Sequence, residues 1–112
     1  MNERDCLHTK VLKTEDKENR LKFRFDAFIE YDHDPNELDA ETNDKIDRGD
    51  LVCFVAKVSA WKAGICLGED YLGGCIYEDY EDFYENENED YVCDMIENSR
   101  KQALETLKDL MK

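Results

Sequence analysis

The chain has 112 residues, a formal net charge of −14 and a sequence pI near 4.4. That length builds one domain with one modest core. That charge makes bare nucleic acid and anionic membrane surfaces poor partners, because both are held through Lys and Arg. A basic protein surface is the natural complement.

The charge is unevenly spread. Residues 1–24 hold seven bases against five acids, whereas residues 25–112 hold eight bases against twenty-four acids. Residues 1–112 are expected to form a single α+β domain, with 1–19 as a loosely ordered N-terminal segment. Leu7, Thr9 and Val11 alternate weakly, so a short strand near 6–12 is the most that segment offers. Thr14 to Arg20 is entirely polar and reads as a turn or loop.

Residues 20–32 read most clearly. Leu21, Phe23, Phe25, Ala27, Ile29 and Tyr31 take every odd position, and Lys22, Arg24, Asp26 and Glu30 most of the even ones. Period two over that length predicts a strand with one buried face. Phe28 breaks the pattern. Asp34-Pro35-Asn36-Glu37 is a helix-start signal, with an Asp cap, Pro at the first helical position and Glu three residues after the cap. A short surface helix is expected near 36–48, with Leu38 and Ile46 facing inward and Gly49 ending it.

Residues 51–60 are nearly all apolar and rich in β-branched types, which predicts a central strand covered on both faces. Trp61 to Gly64 reads as a turn. Ile65 to Leu67 and Tyr71 to Tyr77 read as two shorter strands broken at Gly68-Glu69-Asp70. Gly73-Gly74 suggests a bulge or a close backbone approach. From Asp90 to Met111, Val92, Ile96, Ser99, Ala103, Leu107 and Leu110 recur at spacings of three and four, the pattern of an amphipathic helix. The expected architecture is an antiparallel sheet of three to four strands, with the C-terminal helix packed on one face. Leu21, Phe23, Phe25, Ile29, Val52, Phe54, Val58, Val92, Ile96, Leu107 and Leu110 are its predicted core.

No apolar h-region follows Met1, so no secretory signal is expected, and no run approaches the ~20 apolar residues of a membrane span. The five cysteines are odd in number and form no C-x-x-C pair, which fits neither a zinc site nor a closed disulfide framework. A reducing cytoplasm is the expected compartment. No nucleophile–base–acid order, phosphate loop or H-E-x-x-H motif occurs, so no catalytic residue is assigned. Neither Asp32-His33-Asp34 nor the run from Glu78 to Asp90 follows the EF-hand order, so no metal and no cofactor is assigned.

One stretch dominates. Residues 63–99 carry twelve carboxylates, five of the six tyrosines and no Lys or Arg. Runs of like charge are usually disordered tails, yet this one holds Leu67, Leu72, Ile76, Phe83, Val92, Met95 and Ile96 among its acids. It is therefore expected to fold, and folded self-repulsion invites a functional reason. Tyr77, Tyr80 and Tyr84 recur at helical spacing. The plain reading packs at least one of them inward; the functional one sets rings among carboxylates as interface anchors. The residues assigned to partner binding are Glu69, Asp70, Glu78, Asp79, Tyr80, Glu81, Asp82, Tyr84, Glu85, Glu87, Glu89 and Asp90.

In this composition the chain resembles the small acidic DNA mimics that phages and plasmids use against restriction and CRISPR enzymes. The resemblance implies an inhibitor whose carboxylates occupy a basic groove built for DNA or RNA in a nucleic-acid-binding protein or complex. Two other readings stand beside it: an acidic accessory or assembly protein with a basic non-nuclease partner, and a small enzyme.

Overall fold

A computed structural model of the protein describes residues 5–30 and 38–110. The elements run β1 (Cys6–Asp16), β2 (Leu21–Ile29), α1 (Ala40–Asp47), β3 (Val52–Lys62), β4 (Ile65–Tyr77), α2 (Tyr80–Tyr84) and α3 (Asp90–Leu110). The four strands form one antiparallel sheet in sequence order. The long helix α3 packs on β3 and β4. This is the α+β architecture expected from the sequence.

Period two along β2 sets the core. Leu21, Phe23, Phe25 and Ala27 are buried, and the register places Phe23, Phe25 and Ala27 opposite Ala60, Val58 and Ala56 of β3. Helical periodicity supplies the other layer, where Val92, Met95, Ile96, Ser99 and Ala103 form the buried stripe of α3. Val52 and Leu107 pack partly buried against the cluster. Two members of the predicted core depart from it. Leu110, in the last turn of α3, is 71% exposed, and Ile29 is half-buried at the end of β2.

The other sheet face has its own order. Phe28, the apolar residue on the polar side, is buried, with the Lys57 ammonium 6.0 Å from its ring centroid. Arg24 lies over Trp61 at 4.5 Å and binds the buried Asp26 at 2.9 Å. Lys57 pairs with Glu69 at 3.2 Å and faces Tyr71 at 5.7 Å. Val55 and Ser59 are buried here, so β3 is covered on both faces as expected.

Five boundaries differ from the sequence reading. The short strand expected near 6–12 in a loosely ordered segment is the start of the eleven-residue edge strand β1, which runs on to Asp16. Its polarity hid the rest, because an edge strand needs few buried side chains; Leu12 is its buried apolar residue. A register shift between Val11 and Glu15 breaks its alternation. The turn is confined to Lys17–Arg20, where Asp16 accepts from the Asn19 amide at 3.0 Å and Arg20 takes a φ of 58°. The two short strands predicted over 65–77 are one strand, β4, paired continuously across Gly68, Glu69 and Asp70. The turn before it is shorter than expected, with strand continuing through Lys62 and left-handed Ala63 and Gly64 at the corner. Helix α1 begins at Ala40, capped by Asp39, whose carboxylate accepts from the Thr42 amide at 2.7 Å. The Asp34-Pro35-Asn36-Glu37 signal, with Asp32 and His33, lies outside the described residues. Leu38 and Ile46 are half-buried, and Gly49 follows the helix with a φ of 83°.

Arg100 ties α3 to the β1–β2 turn through Asp16 at 2.7 Å. The Asn19 side-chain amide first, and then Arg100, hold the Asp16 carboxyl below its usual range against the opposing effect of burial. A carboxyl depressed by folding adds stability above its unfolded pKa of ~3.9, and that stability is lost as pH falls through the lower folded value. Asp16→Ala is therefore expected to lose about 1 kcal/mol at pH 7. Thermal melts should show the gap to the parent protein closing as pH drops below ~4. A gap unchanged at pH 3 would assign the loss to packing.

Candidate acidic interface

The acidic corner is built outward from an aromatic cluster. Asp79 accepts the Asp82 amide at 2.8 Å and so starts the single turn of α2. That turn presses Phe83 and Tyr84 into the core. Phe83 lies 5.5 Å from Phe25, 5.8 Å from Phe54 and 5.3 Å from Tyr77. Tyr84 lies 4.9 Å from Phe25, and Tyr80 meets Phe54 edge-on at 5.2 Å. Such contacts add to simple area burial. His8 of β1 completes the cluster, stacked on Tyr80 at 5.0 Å with its Nε2 2.9 Å from the Tyr84 hydroxyl. Sequence reasoning missed His8. It lies in a weakly alternating segment seventy-six residues from Tyr84, and no local signal joins the two.

With Tyr80, Phe83 and Tyr84 inward, the helical turn leaves Glu81, Asp82 and Glu85 outward. Glu78, Glu81, Asp82, Glu85, Glu89, Asp90 and Asp94 are all exposed. None of these seven side chains makes an ion pair or hydrogen bond among the described residues. They lie within seventeen consecutive residues that contain no Lys or Arg.

The remaining acids have internal partners. Glu69 is held by Lys57 on the sheet face away from α3. Asp70 accepts from the Asn98 side chain at 3.1 Å. Glu97 pairs with Arg100 at 3.2 Å. Glu87 accepts the Lys13 and Thr14 amides at 2.9 and 2.7 Å, where β1 bulges. Asp79 is exposed but is engaged as a helix cap. The structure thus brings Glu78, Glu81, Asp82, Glu85, Glu89 and Asp90 together at one corner and sets Glu69 and Asp70 apart on β4. Tyr84, 7% exposed, belongs to the core, and Tyr80 is half-buried against it. Lys10 and Lys13 of β1 border the corner across a groove shared with Glu81, Tyr84, Glu85 and Glu87. The corner is therefore flanked by positive charge on one side.

The distinction can be measured. Glu87→Ala should lower stability by about 1 kcal/mol, since two amides lose a charged acceptor and must turn to water. Glu85→Ala, two residues away and unpaired, should leave the melt unchanged or slightly raised. Equal effects from the two would mean that Glu87 does not hold β1.

Burial raises the Tyr77, Tyr80 and Tyr84 phenols, and for Tyr84 the Glu81 and Asp79 charges add to it. Burial also raises the Cys53 and Cys66 thiols and pushes Cys75 up to about 11. These groups stay neutral at neutral pH and add nothing to the corner's charge. All five cysteines are free. Among the described residues no group of three or more His, Cys, Asp or Glu side chains is placed to hold a metal ion. No helix among them is long and apolar enough to cross a membrane. The chain matches no known family model, no curated protein and no solved structure.

Proposed function

We propose that the protein is a small acidic binding protein whose corner at residues 78–94 occupies a basic surface on another protein. One observation carries this reading. Seven exposed carboxylates stand without internal partners on a helical turn and helix start anchored by a packed aromatic cluster. Elsewhere the same chain pairs acids with bases, as at Arg24–Asp26, Lys57–Glu69 and Arg100–Asp16, and its other exposed acids, such as Glu15, Asp44 and Glu105, are interspersed with Lys and Arg in the sequence. Unrelieved repulsion costs stability, so leaving it at one corner favours a role outside the fold. Neighbouring helical carboxylates lie about 5–6 Å apart, and a nucleic-acid backbone likewise presents closely spaced negative charge. The partner surface is then a groove that binds DNA or RNA, and the protein is an inhibitor of the anti-restriction or anti-CRISPR type encoded by a phage or mobile element. Five free cysteines fit action in the reducing cytoplasm of the host cell.

Capture from lysate followed by competition tests the reading. A nucleic-acid-processing protein or complex should be retained, and DNA or RNA added at fixed ionic strength should displace it. Retention of a basic protein that nucleic acid does not displace would replace mimicry with an accessory or assembly role. Turnover of a small substrate without a protein partner would replace both with an enzyme.

A further inference from the structure

Strand β4 is an edge of the sheet, and a sheet edge presents amides and carbonyls that can pair with another extended chain. The opposite edge, β1, is blunted at its bulge by the Glu87 carboxylate. Strand β4 is closed by α3 only over its first half. There α3 backbone lies against Gly68, Gln102 Oε1 accepts the Glu69 amide at 2.6 Å, and Asn98 holds Asp70. Beyond Asp70 the Gly74 amide at the bulge is held by the Glu30 carboxylate at 2.8 Å, and among the described residues no helix side chain hydrogen-bonds the strand.

The Glu69 amide serves Gln102 rather than β3, so it points away from the sheet. Alternation along the strand turns the Tyr71 amide the same way. Leu72 and Cys75 pair across to Ala56 and Phe54, with Gly73 and Gly74 bulged between them. Past the bulge, the register of Cys75 with Phe54 and Tyr77 with Val52 turns the Ile76 amide outward. Residues 72–77 line an open groove with Tyr91, and Tyr71 and Tyr91 are 45% and 58% exposed. Carboxylates rim it. Glu78 follows the strand directly, and Tyr91 also borders a hollow containing Glu89, Asp90 and Asp94.

We propose that the β4 edge over residues 71–77 accepts an extended basic segment of the partner protein as a fifth strand. Main-chain pairing supplies affinity, while Tyr71 and Tyr91 meet its apolar side chains and the carboxylate rim meets its Lys and Arg. Charge selects this occupant. A second copy would set −14 against −14, and a neutral strand would gain nothing from the rim. The inference rests on reading the acidic corner as a partner-binding surface.

The probe is a peptide of about seven residues alternating Val and Lys, long enough for one strand. It is titrated into the intact protein beside a copy N-methylated on alternate residues, and amide hydrogen exchange is followed. Exchange over 71–77 should slow, N-methylation should weaken binding roughly tenfold or more, and rising salt should weaken it further. Protection confined to 78–94, with both peptides binding equally, overturns edge pairing and leaves the acidic surface standing. Protection of 71–77 that is indifferent to salt overturns the basic occupant and removes the charge-based reading beneath it. Binding by neither peptide overturns the proposal. So does a dimer of the free protein with 71–77 already protected, which gives the edge to a second copy.

Discussion

Replacing Gly68 with alanine is expected to cost about 3 kcal/mol or more, at the upper end for overpacking a core. Gly68 lies in β4 where α3 crosses it. An added Cβ would strike the Ser99 carbonyl and sit 2.7 Å from the Ala103 amide nitrogen. Both are helix backbone, so no rotamer change relieves the clash; the helix must lift from the sheet. Ser99 and Ala103 are the small, fully buried residues of the α3 stripe, which is why the approach is so close. The melting temperature should fall by roughly 12 °C or more, at 4–8 °C per kcal/mol for a domain of this size. Gly64→Ala is the matched control. Its φ of 78° strains any other residue, but its Cβ would meet nothing, so only about 1 kcal/mol should be lost. Similar melts for the two variants would show that α3 does not seat on Gly68.

Gly68 also shows where the sequence misled. A Gly-Glu-Asp triplet inside a strand pattern carries the composition of a turn. Here the glycine admits a helix and the two acids are satisfied from outside the strand, Glu69 by Lys57 and Asp70 by Asn98. Those partners are distant in sequence, so local composition could not reveal them. The reverse held for β2 and α3, where burial of one face imposes a period that survives without knowledge of the partner layer. Leu21, Phe23 and Phe25, with Val92 and Ile96, were legible for that reason. Strand β1 was legible only over 6–12, because an edge beside a bulge needs only Leu12 buried. The acidic surface was legible as charge and not as geometry. Composition could not separate Glu87, bound to two amides, from Glu85, which is presented to solvent. Nor could it place Tyr84, whose ring spacing suits both a core and an interface, until His8 and Phe25 were found around it.

Reversing Glu78, Glu81, Asp82 and Glu85 to lysine is expected to weaken partner binding at least 100-fold while leaving the fold intact. Each exposed pair with the partner contributes little alone. Reversal does more than remove four attractions, because it places four like charges against the basic surface, and such juxtapositions cost several kcal/mol together. The loss should build gradually through the single and double variants, because the footprint is distributed. It should shrink as salt rises, since these charges are exposed and screened. None of the four side chains makes an ion pair or hydrogen bond among the described residues, and the self-repulsion relieved is offset by new like charge beside Lys10 and Lys13, so the melting temperature should stay close to the parent's. Tyr84→Ala supplies the contrast. That ring packs on Phe25 and bonds His8, so its removal should cost stability by the ~3–5 kcal/mol of an aromatic core truncation. A binding loss there would follow unfolding rather than a lost anchor. The measurement is a titration of each variant at two salt concentrations with a thermal melt beside it. Unchanged affinity in the fourfold variant at low salt would remove the acidic corner from the interface and leave the β4 edge and the Trp61 face of the sheet as the remaining surfaces.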